Sequence, residues 1–165
     1  MTAAPIDITL PPDRPVILWS RFVKAPPELA FEMWTEPEHI RNWLGPRYLE
    51  TVLCEVDLRP GGTYRFVHRA PDGSEHAFHG EYREIDRPRR LVSTWVYEGM
   101  PDDVSIETIN FEAVDGGTRI HGTSEHVSVA ARDQHIANGM ERGMIESYER
   151  FDERVAALQE AGRPA

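Results

Sequence analysis

The stretch Gly61–Ile85, "GGTYRFVHRAPDGSEHAFHGEYREI", alternates aromatic with charged residues on either side of Pro71-Asp72-Gly73. Successive side chains of a strand point to opposite faces, so the turn decides which residues share a face. Pro71 cannot take a positive φ, which excludes a two-residue mirror-image turn starting there. Pro-Asp-Gly instead suits a type I turn with Gly73 left-handed. Ala70 then pairs with Ser74, Arg69 faces Glu75, His68 faces His76, Phe66 faces Phe78, and Tyr64 faces Gly80. Tyr64, Phe66, His68, His76 and Tyr82 fall on the buried face, while Arg65, Arg69, Glu75, His79, Glu81 and Arg83 fall on the other. The three histidines are therefore split, two inward and His79 outward, and this register excludes a three-histidine metal site on the hairpin. Ile85 is apolar on the charged parity, so a bulge or the strand end must intervene.

The neighbouring segments follow the same alternation. In "RRLVSTWVYEG" the parity of Leu91 carries Ser93, Trp95 and Tyr97 inward. In "SIETINFEAVDGGTRIHGTSEHV", Ile109 and Phe111 mark the inward parity, which also brings in Glu107 and Ser105. A two-residue turn within Asp115-Gly116-Gly117 places Ile120, Gly122, Ser124 and His126 opposite them. The inward surface is aromatic with a few polar groups, the usual make-up of a small-molecule pocket.

Residues 1–15 hold four prolines and no sustained period, and read as an extended leader ahead of one domain spanning 16–162. "VILWSRFV" from Val16 is β-branched and aromatic, and makes the first strand. Two short helices follow it. Pro27 opens one, and Thr35 caps the other, which stops at Gly45-Pro46. Six antiparallel strands are predicted between Tyr48 and about Val127. From about Arg132 to Ala161, Ile136, Met140, Met144, Tyr148, Phe151, Val155 and Leu158 form one stripe, which predicts a single long amphipathic helix. Gly139, Gly143 and Ser147 align on that helix. The two glycines either leave room for a ligand or permit close packing on the sheet. The sum is an α+β fold, a curved antiparallel sheet gripping the last helix.

Composition narrows the function. The chain has 165 residues, 40% hydrophobic and 28% charged, enough to bury a core without staples. A formal net charge of −10 opposes nucleic acid and anionic membranes. The lone cysteine, Cys54, rules out an intrachain disulfide or a cysteine zinc cluster, and fits a reducing cytoplasm. Neither a signal peptide nor a membrane span is read, and no metal or other cofactor is expected.

Together "RFVKAPPELAFEMWTEPEHIRNWLGP", the Gly61–Trp95 stretch, "GGTRI" and "GMIESYERFDE" resemble the START-like (SRPBCC) helix-grip superfamily. Within it they most resemble the branch named after the activator of the heat-shock-protein ATPase. The resemblance implies a cavity between sheet and last helix, and a function among lipid carriers, small-molecule binders, polyketide cyclases and co-chaperones. Members often carry Gly-Trp in the last helix, where this chain has Gly143-Met144.

The resulting expectation is a binder of a small hydrophobic molecule. Tyr64, Phe66, Tyr82, Trp95, Tyr97, Ile109, Phe111, Met140 and Met144 form the walls, and His68, His76, Glu107 and His126 orient polar groups. Trp34 and Trp43 belong to core or rim. Glu107 is the candidate for proton transfer if the protein is an enzyme of the cyclase or dehydratase type, since burial disfavours a carboxylate. A surface partner, whether a chaperone in a stress response or a second copy, is the remaining alternative.

Overall fold

The computed structural model describes residues 6–162, built as eight strands and four helices. Strand β1 is Ile6–Thr9 and β2 is Val16–Val23; helices α1 (Pro27–Thr35) and α2 (Pro37–Trp43) follow. The meander comprises β3 (Glu50–Val56), β4 (Thr63–Arg69), β5 (Glu75–Asp86), β6 (Arg90–Tyr97), β7 (Val104–Val114) and β8 (Gly117–Glu125). Helices α3 (Val129–Ala137) and α4 (Met140–Ala161) end the fold. One open antiparallel sheet runs in the order β1-β2-β8-β7-β6-β5-β4-β3, with β1 and β3 at its edges and the early β2 paired to the late β8. This is the α+β helix-grip architecture. Among the described residues no helix is long and apolar enough to cross a membrane.

The hairpin has the register that its turn dictates. Arg69 pairs with Glu75, His68 with His76, Phe66 with Phe78 and Tyr64 with Gly80. Gly73 has φ 90°, its N–H donates to Ala70 O at 2.9 Å, and Asp72 Oδ1 accepts from Ser74 N–H. A bulge between Tyr82 and Glu84 resolves the parity conflict at Ile85. On the solvent face Arg65 bonds Glu98, Arg69 bonds Glu75, and His79 lies 3.0 Å from Glu98. The second hairpin also keeps its expected register, with Phe111 opposite Ile120, Ile109 opposite Gly122 and Glu107 opposite Ser124.

Three local expectations are corrected. "VILWSRFV" is the second strand and not the first, because Ile6–Thr9 of the extended leader adds an edge strand to it. Residues 1–5 lie outside the described part. Thr35 does not cap α2, because its hydroxyl donates to Phe31 O and Glu36 occupies the cap position. The terminal stripe is two helices rather than one. Gly139 takes φ 90°, a left-handed conformation that any Cβ disfavours, and the chain turns there between α3 and α4.

The core sits where α1, α2 and α4 meet the sheet. Phe31 is fully buried and meets Phe111 edge-on at 5.5 Å, while Trp43 packs on Trp34 at 4.7 Å and on Phe151 at 5.0 Å. Each such side chain contributes roughly 1.5–3 kcal/mol through burial. The indole N–H of Trp43 donates to Met33 O at 2.7 Å, which satisfies its polar edge. Helix α4 is tied to the turn after α2 by Gly45 N–H donating to Ser147 Oγ at 2.9 Å and by Arg150 donating to Gly45 O at 2.8 Å. On the opposite side Arg21 of β2, 1% exposed, reaches Asp152 at 2.6 Å and lies over the Tyr148 ring.

Candidate functional site

Curvature of the sheet leaves a cavity of about 310 Å³ between its inward face and the helices. Strand alternation supplies one wall: Ile17 and Trp19 from β2, Tyr64, Phe66 and His68 from β4, Phe78 and Tyr82 from β5, and Leu91, Ser93 and Trp95 from β6. Trp34 of α1, Trp43 of α2, and Met140, Gly143, Met144 and Tyr148 of α4 close the other side. Phe78 stacks on Trp95 at 4.9 Å and Tyr64 on Phe66 at 5.1 Å, so the walls are rigid aromatic surfaces.

Gly143 decides how much room remains. A Cβ built there meets no heavy atom within 4 Å, so this glycine does not serve close packing on the sheet; it leaves space beneath α4. Gly139 is not on a helical face with it, being the turn between the two helices.

One end of the cavity is polar. Glu107 of β7 accepts a hydrogen bond from Ser124 Oγ at 2.8 Å through Oε1. Its stem keeps some accessible surface, but Oε2 is buried and has no partner. Burial raises its pKa to about 7, against the opposing pull of the Ser124 and Ser105 hydroxyls. A carboxyl titrating near neutrality in apolar surroundings is able to take or release a proton. His126 lies at the same end, 6% exposed, with Nδ1 3.1 Å from Asp103 Oδ2 and Nε2 buried without a partner. Nδ1–H of the ring faces the Asp103 carboxylate, which leaves Nε2 as the nitrogen turned toward the cavity end. His135 of α3 packs its ring 5.1 Å from that of His126, and burial lowers its pKa. Ser124 bonds Glu107 rather than His126, so no nucleophilic triad forms.

At the other end His68, 2% exposed, lies 3.0 Å from Thr51 Oγ1 through Nδ1 and borders Gly45. Burial first, then the Arg150 and His76 charges, lower its pKa to about 4, which keeps the ring neutral at physiological pH.

Ten of the thirteen residues expected at the site lie on this wall; His76, Tyr97 and Phe111 do not. His76 Nδ1 lies 3.0 Å from Tyr97 Oη, and the pair sits near the hairpin tip beyond the cavity. Phe111 faces inward but lies under Phe31 of α1, which fills the space there. Sequence reasoning passed over Ile17 and Trp19, although the parity of β2 carries them, and Tyr148, which sits on the terminal stripe. The Asp103–His126 pair had no readable signal, because Asp103 lies in a loop outside the strand alternation. Among the described residues no three metal-ligating side chains come together.

The family model described as "Activator of Hsp90 ATPase homolog 1-like protein" matches residues 24–156. The chain belongs to this family. Solved structures similar to it include a protein from Rhodobacter sphaeroides, 26% identical with a TM-score of 0.86, covering 93% of this chain and 99% of that one. Another, from Nitrosomonas europaea, is 25% identical with a TM-score of 0.78, covering 88% and 96%. A structure titled as the AHSA1 protein from Silicibacter pomeroyi is 17% identical with a TM-score of 0.73, covering 87% and 99%, and shows the shared fold alone. No curated protein sequence matches the chain significantly.

Proposed function

We propose that the protein binds a small, largely apolar molecule in the cavity between the sheet and α4. The observation that carries this reading is the open volume beneath Gly143, walled by Trp95, Phe78 and Tyr64 and unfilled by any side chain. Pockets of about 300–1,000 Å³ with aromatic walls and few polar groups are characteristic of small-molecule sites. Gly143→Leu is the test. The leucine grows into the open space, so native mass spectrometry of protein purified from its host should show a releasable adduct on the wild type and none on the variant. An adduct retained by a folded Gly143→Leu protein overturns the reading.

A second reading is proton-transfer catalysis of the cyclase or dehydratase type, favoured by Glu107, whose pKa near 7 suits a general acid or base. Glu107→Gln then abolishes turnover and leaves binding, whereas a carrier shows no turnover to lose. A chaperone partner, which the family's description brings to mind, would act on the outer surface, and a pull-down insensitive to Gly143→Leu would favour it.

A further inference from the structure

We propose that the cavity selects ligands whose polar head is a hydrogen-bond donor, an ammonium or a hydroxyl, and rejects carboxylates. This rests on the reading of the cavity as a ligand site. Two buried polar atoms on its wall have no partner: the carboxyl oxygen Glu107 Oε2, and His126 Nε2 on a ring whose other nitrogen is bonded to Asp103. Both come from the same polar end, Glu107 from mid-β7 and His126 from just past the end of its partner β8. An unpaired buried acceptor is costly, and a ligand donor relieves that cost only at such a position.

Charge points the same way. Among the described residues no lysine or arginine lines the cavity. Two guanidiniums lie behind the walls: Arg21 is bonded through Nη2 to Asp152 and covered by the Tyr148 ring, and Arg150 is bonded to Gly45 O. A carboxylate head would meet Glu107 with Asp103 beyond it and find no cation. An ammonium would meet the Glu107 carboxyl beside the aromatic wall residues Trp95 and Tyr64. The third unpartnered wall atom, Nε1 of Trp34, is a neutral donor on α1 and supplies no charge to hold an anion.

The test uses four probes on one fused two-ring scaffold: naphthylmethylamine, naphthylmethanol, naphthoate and methylnaphthalene, titrated calorimetrically into the full-length protein at neutral pH. The expected ranking places amine and alcohol at least about ten-fold tighter than naphthoate, the scale of one charge-assisted hydrogen bond. In Glu107→Gln the amine loses its advantage, the alcohol is little changed, and naphthoate gains from the amide N–H. Naphthoate binding as tightly as the amine to the wild type overturns the head-group proposal while leaving the cavity reading intact. Failure of all four, methylnaphthalene included, overturns the cavity reading and the proposal with it. The wild-type ranking decides the matter even if Glu107→Gln fails to fold.

Discussion

The indole of Trp19 occupies the space where a side chain on Gly122, its cross-strand partner, would begin: a Cβ there lies 2.0 Å from Trp19 Cε2. The ring has no easy retreat, because Trp34 and Tyr148 flank it at 6.0 and 5.3 Å. Gly122→Ala is therefore expected to destabilise the protein by about 1–3 kcal/mol, the range of overpacked cores. Urea denaturation measures the loss, and a shift of the tryptophan emission in the folded state reports the displaced ring.

Glu107 and His68 pull stability in opposite directions with pH. The folded pKa of Glu107, about 7, lies above the ordinary 4.5, so its contribution is fully present below 4.5 and is lost as pH rises to 7. That of His68, about 4, lies below the ordinary 6.5, so its contribution is present above 6.5 and is lost as pH falls to 4. Each is worth on the order of 3 kcal/mol at 1.36 kcal/mol per unit, and over pH 4.5 to 6.5 the two nearly cancel. Relative to wild type, Glu107→Gln should gain stability as pH rises through this window, and His68→Gln should lose it. Parallel pH profiles for all three proteins would refute this.

Two glycines in the terminal segment should respond oppositely to alanine. Gly143 is helical with open space around it, so Gly143→Ala gains about 1 kcal/mol of helix propensity. Gly139 holds φ 90°, so Gly139→Ala is strained and destabilises by about 1–2 kcal/mol. Thermal melts of the two variants check the contrast.

Arg21 is buried with Nε and Nη1 unpartnered, and Asp152 neutralises it. Asp152→Ala leaves the charge uncompensated and should cost about 3 kcal/mol, whereas Arg21→Met combined with Asp152→Leu should restore most of it. Denaturant midpoints of the single and double variants decide whether the pair stabilises or merely balances.

What the sequence made legible were the elements governed by local chemistry. Pro71-Asp72-Gly73 admits few turns, so the register of β4 and β5 followed, and with it the inward placement of Tyr64, Phe66 and His68. The same logic placed Glu107 opposite Ser124. Illegible were features set by distant partners. Ile6–Thr9 is four residues long and becomes a strand only because β2 offers a free edge. The break at Gly139 was hidden because apolar residues stay in phase across it. The exclusion of Phe111 from the cavity depended on where α1 lies, which no strand parity encodes.

The pairing of β2 with β8 sets the timing of assembly. Val16 to Val23 emerge about a hundred residues ahead of their partners, Thr118 to Glu125. Until then Ile17 and Trp19 have no sheet to join, and closing so long a loop is a slow, entropically costly step. The β3–β6 meander, built from neighbouring hairpins, is free to form first and to act as the template on which the returning strands and α4 complete the grip.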